Sequence, residues 1–199
     1  VSRWPTFITH NSQNVWTIDN GFFANVADST SQSKGRALAV RGGWLIVMMI
    51  VYGGWVRLTR SGLAIVEWNI VTGVVPPLSE ASWQEKLASY RDTPEYKKVN
   101  HGIALAAFKD LYIREYTHRL LGRITGLAFV IPLIIFLVRG TLPRNRILAY
   151  LGIGILFAVQ GLVGSFMLKS GLVDNPQVSH YRLVIHLGCA LALLAAVLW

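Results

Sequence analysis

The stretch Ile147-Leu-Ala-Tyr-Leu-Gly-Ile-Gly-Ile-Leu-Phe-Ala-Val-Gln-Gly-Leu-Val-Gly-Ser-Phe-Met-Leu168 contains no Asp, Glu, Lys or Arg. A helix needs ~20 mostly apolar residues to cross the ~30 Å hydrocarbon core of a bilayer. An uncharged run of this length reads as a membrane span, and it decides the fold class. Three further runs follow the same pattern. The first, about 42–57, is short, but Arg41 and Arg57 at its ends can snorkel to the interface. The second, about 118–139, carries Arg119 and Arg123 in its first turns. The fourth, about 182–199, does not quite cross at ~1.5 Å per residue, so the chain is expected to continue past Trp199. The expected fold is an all-α membrane protein. A four-helix transmembrane bundle fills 41–199, a large helical outer loop (about 58–117) joins the first two spans, and a polar segment (1–40) precedes them.

Composition agrees. Apolar residues make up 53% of the chain and charged residues 15%, against ~25% charged in soluble domains; the mean hydropathy is +0.44. The net charge of +9 would suggest nucleic acid in a soluble protein. Here the basic residues flank the spans, where they meet lipid headgroups, so the expected partner is the bilayer and not nucleic acid. The lone Cys189 excludes an intrachain disulfide and a Cys-based metal site. Residues 1–34 lack the apolar core of a signal peptide, and the start at Val1 suggests a processed or partial N-terminus.

Within the loop, Ser79 begins a stretch that reads as a capped helix. Leu105, Phe108 and Tyr112 share a face of a second helix, which can run directly into the second span. Arg139, Arg144 and Arg146 crowd the link between spans two and three, so the positive-inside rule puts that link and the N-terminus inside.

Ionisable residues in a membrane are costly and each needs a reason. His118 opens the second span and His186 lies one turn into the fourth. With alternating span directions both fall near the outer face at similar depth. Two inward histidines on different helices of a bundle are one way to ligate a heme iron; interfacial hydrogen bonding is the other reading. Gly122, Gly126, Gly161, Gly164 and Gly188 can make room for a macrocycle or simply let helices pack. Arg57, Arg60, Arg119, Arg123 and Arg182 gather at the same depth, suited to the carboxylates of a heme or to lipid phosphate. Glu115 shares a face with His118, three residues away. It can orient the imidazole, relay a proton or stabilise positive charge, or it can pair with Arg119 at i+4. His10, His101 and His180 read as surface histidines.

Four stretches carry a family resemblance. They are Gly53-Gly-Trp-Val-Arg-Leu-Thr-Arg-Ser-Gly-Leu-Ala-Ile-Val-Glu-Trp68 with Thr72-Gly-Val-Val-Pro-Pro77; Phe108-Lys109 with Glu115-Tyr-Thr-His-Arg-Leu-Leu-Gly-Arg123; Gln160-Gly-Leu-Val-Gly164 with Met167-Leu-Lys-Ser-Gly-Leu172; and Val178-Ser-His-Tyr-Arg-Leu-Val-Ile-His-Leu187. In this order the chain resembles the heme A synthase family of proteobacteria and mitochondria, specifically its N-terminal four-helix half. Ala107 stands where the family usually has an acid.

The resemblance implies two similar bundles in the whole protein, with a substrate heme in the half seen here and heme b in the second half. It implies oxidation of a heme O methyl group to the formyl group of heme A, for cytochrome oxidase. By motif, His118 and His186 would face the heme iron, Glu115 would lie close to the reacting edge, and Arg57, Arg60, Arg119, Arg123 and Arg182 would be candidates for the propionates. Implied partners are the second half or a second copy, an electron donor such as a ferredoxin, a heme O synthase and cytochrome oxidase. The implied location is the mitochondrial inner membrane or a bacterial plasma membrane. The alternatives are a non-catalytic heme-binding or structural subunit of a respiratory complex, and a b-type cytochrome that only transfers electrons.

Overall fold

The computed structural model describes residues 8–10, 16–18, 40–69, 71–142, 144–172, 176 and 178–199. The rest of the polar 1–40 segment lies outside the described residues, as does Asp174 in the loop before the last helix. Two bodies are distinguished, Val1–Arg41 and Gly42–Trp199. In the first, β1 (Ile8–His10) pairs antiparallel with β2 (Trp16–Ile18), Ile8 opposite Ile18 and Thr9 opposite Thr17. These β-branched residues suit a pleated pair.

The second body is helical. Helix α1 spans 40–58. In the following loop lie α2 (Glu80–Arg91) and α3 (Pro94–Lys98), and then the long α4 (Leu105–Val138), α5 (Ile147–Gly171) and α6 (His180–Leu198). Local chemistry sets the loop helices. The Ser79 hydroxyl accepts from the Ser82 N–H at 3.2 Å while the Ser82 hydroxyl accepts from the Ser79 N–H at 3.1 Å, a reciprocal cap. Thr93 caps α3 through the Tyr96 N–H, with Pro94 in the first turn.

The loop helix expected from Leu105, Phe108 and Tyr112 and the second span form one element, the 34-residue α4. At ~1.5 Å per residue it is ~50 Å long, well beyond the hydrocarbon thickness. Its first turns therefore rise out of the bilayer into the loop. There Phe108 and Tyr112 form a core with Ala64, Leu87 and Tyr90, and both Phe108 and Tyr90 are fully buried.

Glycines and aromatics show how the four long helices close into a ring. A Cβ on Gly122 of α4 would touch Met49 of α1, and one on Gly154 of α5 would touch Leu133 of α4. Phe129 of α4 meets Phe157 of α5 at 5.1 Å between ring centroids. Gly164 of α5 faces His186 of α6, and Gly43 of α1 faces Leu194 and Leu198 of α6. Successive helices run antiparallel. The long loop and the α5–α6 link meet at one end, where Leu63, Leu168 and Val178 pack together.

Among the described residues three helices are long and apolar enough to cross a membrane: Leu105–Val138, Arg144–Lys169 and His180–Leu198. Helix α1 is not among them, because Arg41 and Arg57 flank its apolar run and Gly42, Gly43, Gly53 and Gly54 dilute it. Large apolar side chains such as Ile131, Leu148, Ile155, Phe166 and Val184 point away from the ring. In water they would be a liability, but in lipid they are solvated. The protein is an integral membrane protein, and its membrane body is all-α.

Candidate functional site

Glu115, His118, Arg119 and Arg123 lie on α4 within three turns. Glu115 is 4% exposed. Its carboxylate accepts from the Ile65 N–H at 2.9 Å and pairs with Arg119 one turn on. Arg119 also donates to the Ile65 carbonyl at 2.9 Å and the Glu67 carbonyl at 2.8 Å, and its guanidinium lies over the Trp68 ring. Arg123 donates to the Asn69 carbonyl at 2.7 Å. The segment 65–69 is thus strapped to α4 through its own main chain. Such charge-assisted bonds are stronger than neutral ones, and here they satisfy backbone groups that no sheet or helix serves.

One turn below Glu115, the ring of His118 stacks on Tyr52 of α1 at 6.3 Å between centroids with planes 13° apart. Its Nε2 lies 2.8 Å from where a Cβ on Gly53 would stand, so any larger residue there would push the imidazole aside. His186 has the matching arrangement on the other side, its Cε1 3.2 Å from a Cβ on Gly164. Gln160 of α5 donates to the His186 carbonyl at 3.1 Å, and its amide nitrogen is 3.5 Å from His186 Nε2. His186 Nδ1 and Gln160 Oε1 are buried with no hydrogen-bond partner among the described residues.

The five arginines divide. Arg119, Arg123 and Arg182 hold main-chain carbonyls, Arg182 that of Phe166 at 2.6 Å. Arg57 and Arg60 line a cavity at the loop end with Glu95. His10 lies in β1 and His101 in the loop; His180 opens α6 and is exposed.

Three features escaped the sequence reading. Tyr52 as a stacking partner had no signal. Gln160 did have one, as the single amide in the uncharged run of α5. The third is a buried polar set in the loop: Asn100 donates to the Tyr90 hydroxyl at 2.7 Å, and Tyr90 donates to Glu95 at 3.1 Å. Burial pushes the Glu95 carboxyl up to about 7, against the Tyr90 hydrogen bond that lowers it. Burial likewise raises the Tyr90 phenol.

Fold and side chains together define a class: a multi-spanning membrane protein with paired histidines on separate helices, set beneath a loop that a buried Glu–Arg pair holds in place. Residues 36–199 match the family model described as "Cytochrome oxidase assembly protein" (COX15-CtaA). The chain belongs to this family, in agreement with the resemblance its motifs carry. It is 53% identical over 155 residues to the heme A synthase of Nitrosospira multiformis, covering 78% of this chain and 44% of that protein. It is 51% identical over 143 residues to that of Rickettsia bellii, covering 72% and 43% respectively. Against the heme A synthase of Rickettsia felis the identity is 50% over 143 residues, covering 72% and 42%. The chain therefore spans less than half the length of these relatives. No solved structure matches it.

Proposed function

We propose that this chain is the substrate-facing four-helix half of a heme A synthase, an oxidoreductase that converts a methyl group of heme O to the formyl group of heme A. One observation carries the reading: His118 on α4 and His186 on α6 are each packed against a glycine of a neighbouring helix, in a chain about half identical to proteins named heme A synthase. Among the described residues no group of three or more His, Cys, Asp or Glu could hold a bare metal ion. Two imidazoles suit an iron that brings its other ligands with it, as in a porphyrin, and the unpartnered His186 Nδ1 fits a ring set to bind rather than to pack.

In this reading α1 crosses the membrane alongside the three longer helices, and His118 and His186 hold the iron. Bound heme O supplies the iron and the methyl carbon, water supplies the oxygen, and protons and electrons leave to external carriers. Glu115 is the group placed to act on charge near His118. Its carboxylate, fixed by Arg119 and the Ile65 N–H, stabilises positive charge or takes a proton at an oxygen. Of the arginines proposed for the propionates, Arg57 and Arg60 are favoured, because Arg119, Arg123 and Arg182 are engaged with the main chain. A second half holding heme b, a donor such as a ferredoxin, heme O synthase and cytochrome oxidase complete the proposed setting. The membrane is the mitochondrial inner or bacterial plasma membrane, with the N-terminus inside.

The test supplies the full membrane protein with heme O and electron carriers, then extracts the hemes and identifies them by mass. Heme A or a hydroxylated intermediate is expected. Heme O bound but unchanged would leave a non-catalytic heme-binding subunit in its place.

A further inference from the structure

Helix α1 ends in an unusual way. The Ser61 N–H bonds to the Val56 carbonyl at 3.1 Å and the Arg60 N–H to the Arg57 carbonyl at 3.3 Å, the Schellman pattern of a helix C-terminus. The left-handed position of that motif normally holds glycine. Here it holds Arg60, at φ 51°, the one non-glycine residue with positive φ among the described residues. Backbone strain of this kind persists where something else requires the side chain.

The turn folds Arg60 back beside Arg57. Both line a cavity with Glu95 and the apolar side chains Val56, Leu63 and Val178. The Arg57 guanidinium makes no hydrogen bond or ion pair among the described residues, unlike those of the three arginines that hold main-chain carbonyls. Glu95 is 3% exposed and its Oε2 is engaged by Tyr90. Arg57 lies one helical turn beyond Gly53, the residue against which His118 packs. The cavity is therefore one turn above the imidazole level, on the loop side.

We propose that Arg57, Arg60 and Glu95 form a subsite for a ligand carboxylate at the mouth of the bundle, with the guanidiniums donating to the carboxylate and the Glu95 carboxyl set beside it. This rests on the heme reading above, since an iron porphyrin held at the histidines carries its carboxylates along one edge. A second acid in the site favours a singly charged carboxylate over a phosphate. The neutral acid donates a hydrogen bond, whereas the ionised acid repels the ligand.

The groups that set the charge of Glu95 are Tyr90 of α2 and Asn100 after α3, which form its hydrogen-bonded chain, Arg60 after α1, and Glu115 of α4. Arg60 favours the ionised form and Glu115 opposes it. With its carboxyl titrating at about 7, Glu95 is neutral below that pH and charged above it. Affinity for a carboxylate should fall as pH rises through that range.

The experiment compares iron porphyrin as the free diacid and as its dimethyl ester, bound to the full membrane protein in nanodiscs at about pH 6 and about pH 8.5. The diacid should bind wild type about tenfold more weakly at the higher pH. The ester should show no such change, which removes any titration of the histidines from the comparison. Glu95→Gln keeps a neutral donor and should bind the diacid equally at both pH values. Arg60→Gly relieves the strained turn, so it should preserve or raise thermal stability while losing the preference for diacid over ester. A purely structural Arg60 would not separate those two readouts.

Equal binding of diacid and ester by wild type overturns the subsite while leaving the heme reading intact. Failure to bind either porphyrin overturns both. Retention of phosphatidylglycerol over phosphatidylcholine that Arg57→Ala and Arg60→Gly abolish, with no difference between diacid and ester, reassigns the cavity to lipid phosphate.

Discussion

The loop and the middle of the bundle treat their polar groups in opposite ways. In the loop, polar groups find partners within the chain: Glu115 with Arg119 and the Ile65 N–H, Tyr90 with Glu95 and Asn100, and the 65–69 carbonyls with two arginines. Around them lies a dense apolar core. Midway down the bundle, Gln160 Oε1 and His186 Nδ1 have no partner among the described residues, and glycines stand where side chains would fill space. The loop resembles the interior of a small soluble domain. The bundle is built around two imidazoles and leaves its apolar surface to lipid. Stability and chemistry are therefore housed in different layers of one chain.

Substitutions can break this division. Phe108→Ala should destabilise the loop by about 3–5 kcal/mol, whereas the same truncation at Ile155, which is 64% exposed, should change thermal stability little. Comparable losses at both positions would put the bundle and the loop in one core. Next in size, Glu115→Gln leaves Arg119 without its countercharge. Breaking a buried pair costs about 3–5 kcal/mol, and the amide, which still accepts from Ile65, should recover part of it. Limited proteolysis between residues 61 and 75 should accelerate and heme conversion should stop. Conversion at wild-type rate would end the proposed role of Glu115.

The histidine layer should respond in the opposite sense. Gly53→Ala and Gly164→Ala each add helix propensity of up to about 1 kcal/mol but push on an imidazole. The expected result is an altered heme absorption and electron paramagnetic resonance spectrum with the fold retained; unchanged spectra in both would separate the histidines from the iron. The smallest effect belongs to the loop surface. Lys109 meets Glu80 at 2.9 Å, but the pair is exposed, so Lys109→Ala should cost less than about 1 kcal/mol in a thermal melt.

Much of the architecture was legible because bilayers impose a simple rule. A run such as 147–168 without charge has few alternatives, and the pattern through Leu105, Phe108 and Tyr112 shows where a span leaves the membrane. Helix α1 was harder to read, because its arginines and glycines weaken the hydropathy signal that its packing against α4 and α6 does not need. At the site, spacing put Glu115 on the face of His118 and grouped the arginines by depth. It could not show that Arg119, Arg123 and Arg182 would bind main-chain carbonyls. A carbonyl has no residue identity, so nothing in a sequence marks it as a partner. The chain from Glu95 through Tyr90 to Asn100 was hidden for a related reason. It depends on a loop folding back over itself, which no periodicity records.

The unbroken course of α4 has a mechanical consequence. Phe108, Tyr112 and Glu115 are gripped by the loop, while His118 and Gly122 sit in the ring of helices, all on one rod without a hinge between them. The one proline, Pro132, lies more than three turns below His118 and removes a backbone donor there, so bending is confined to the far end. A partner that tilts the loop would swing the His118 imidazole with it, as a handle turns a shaft.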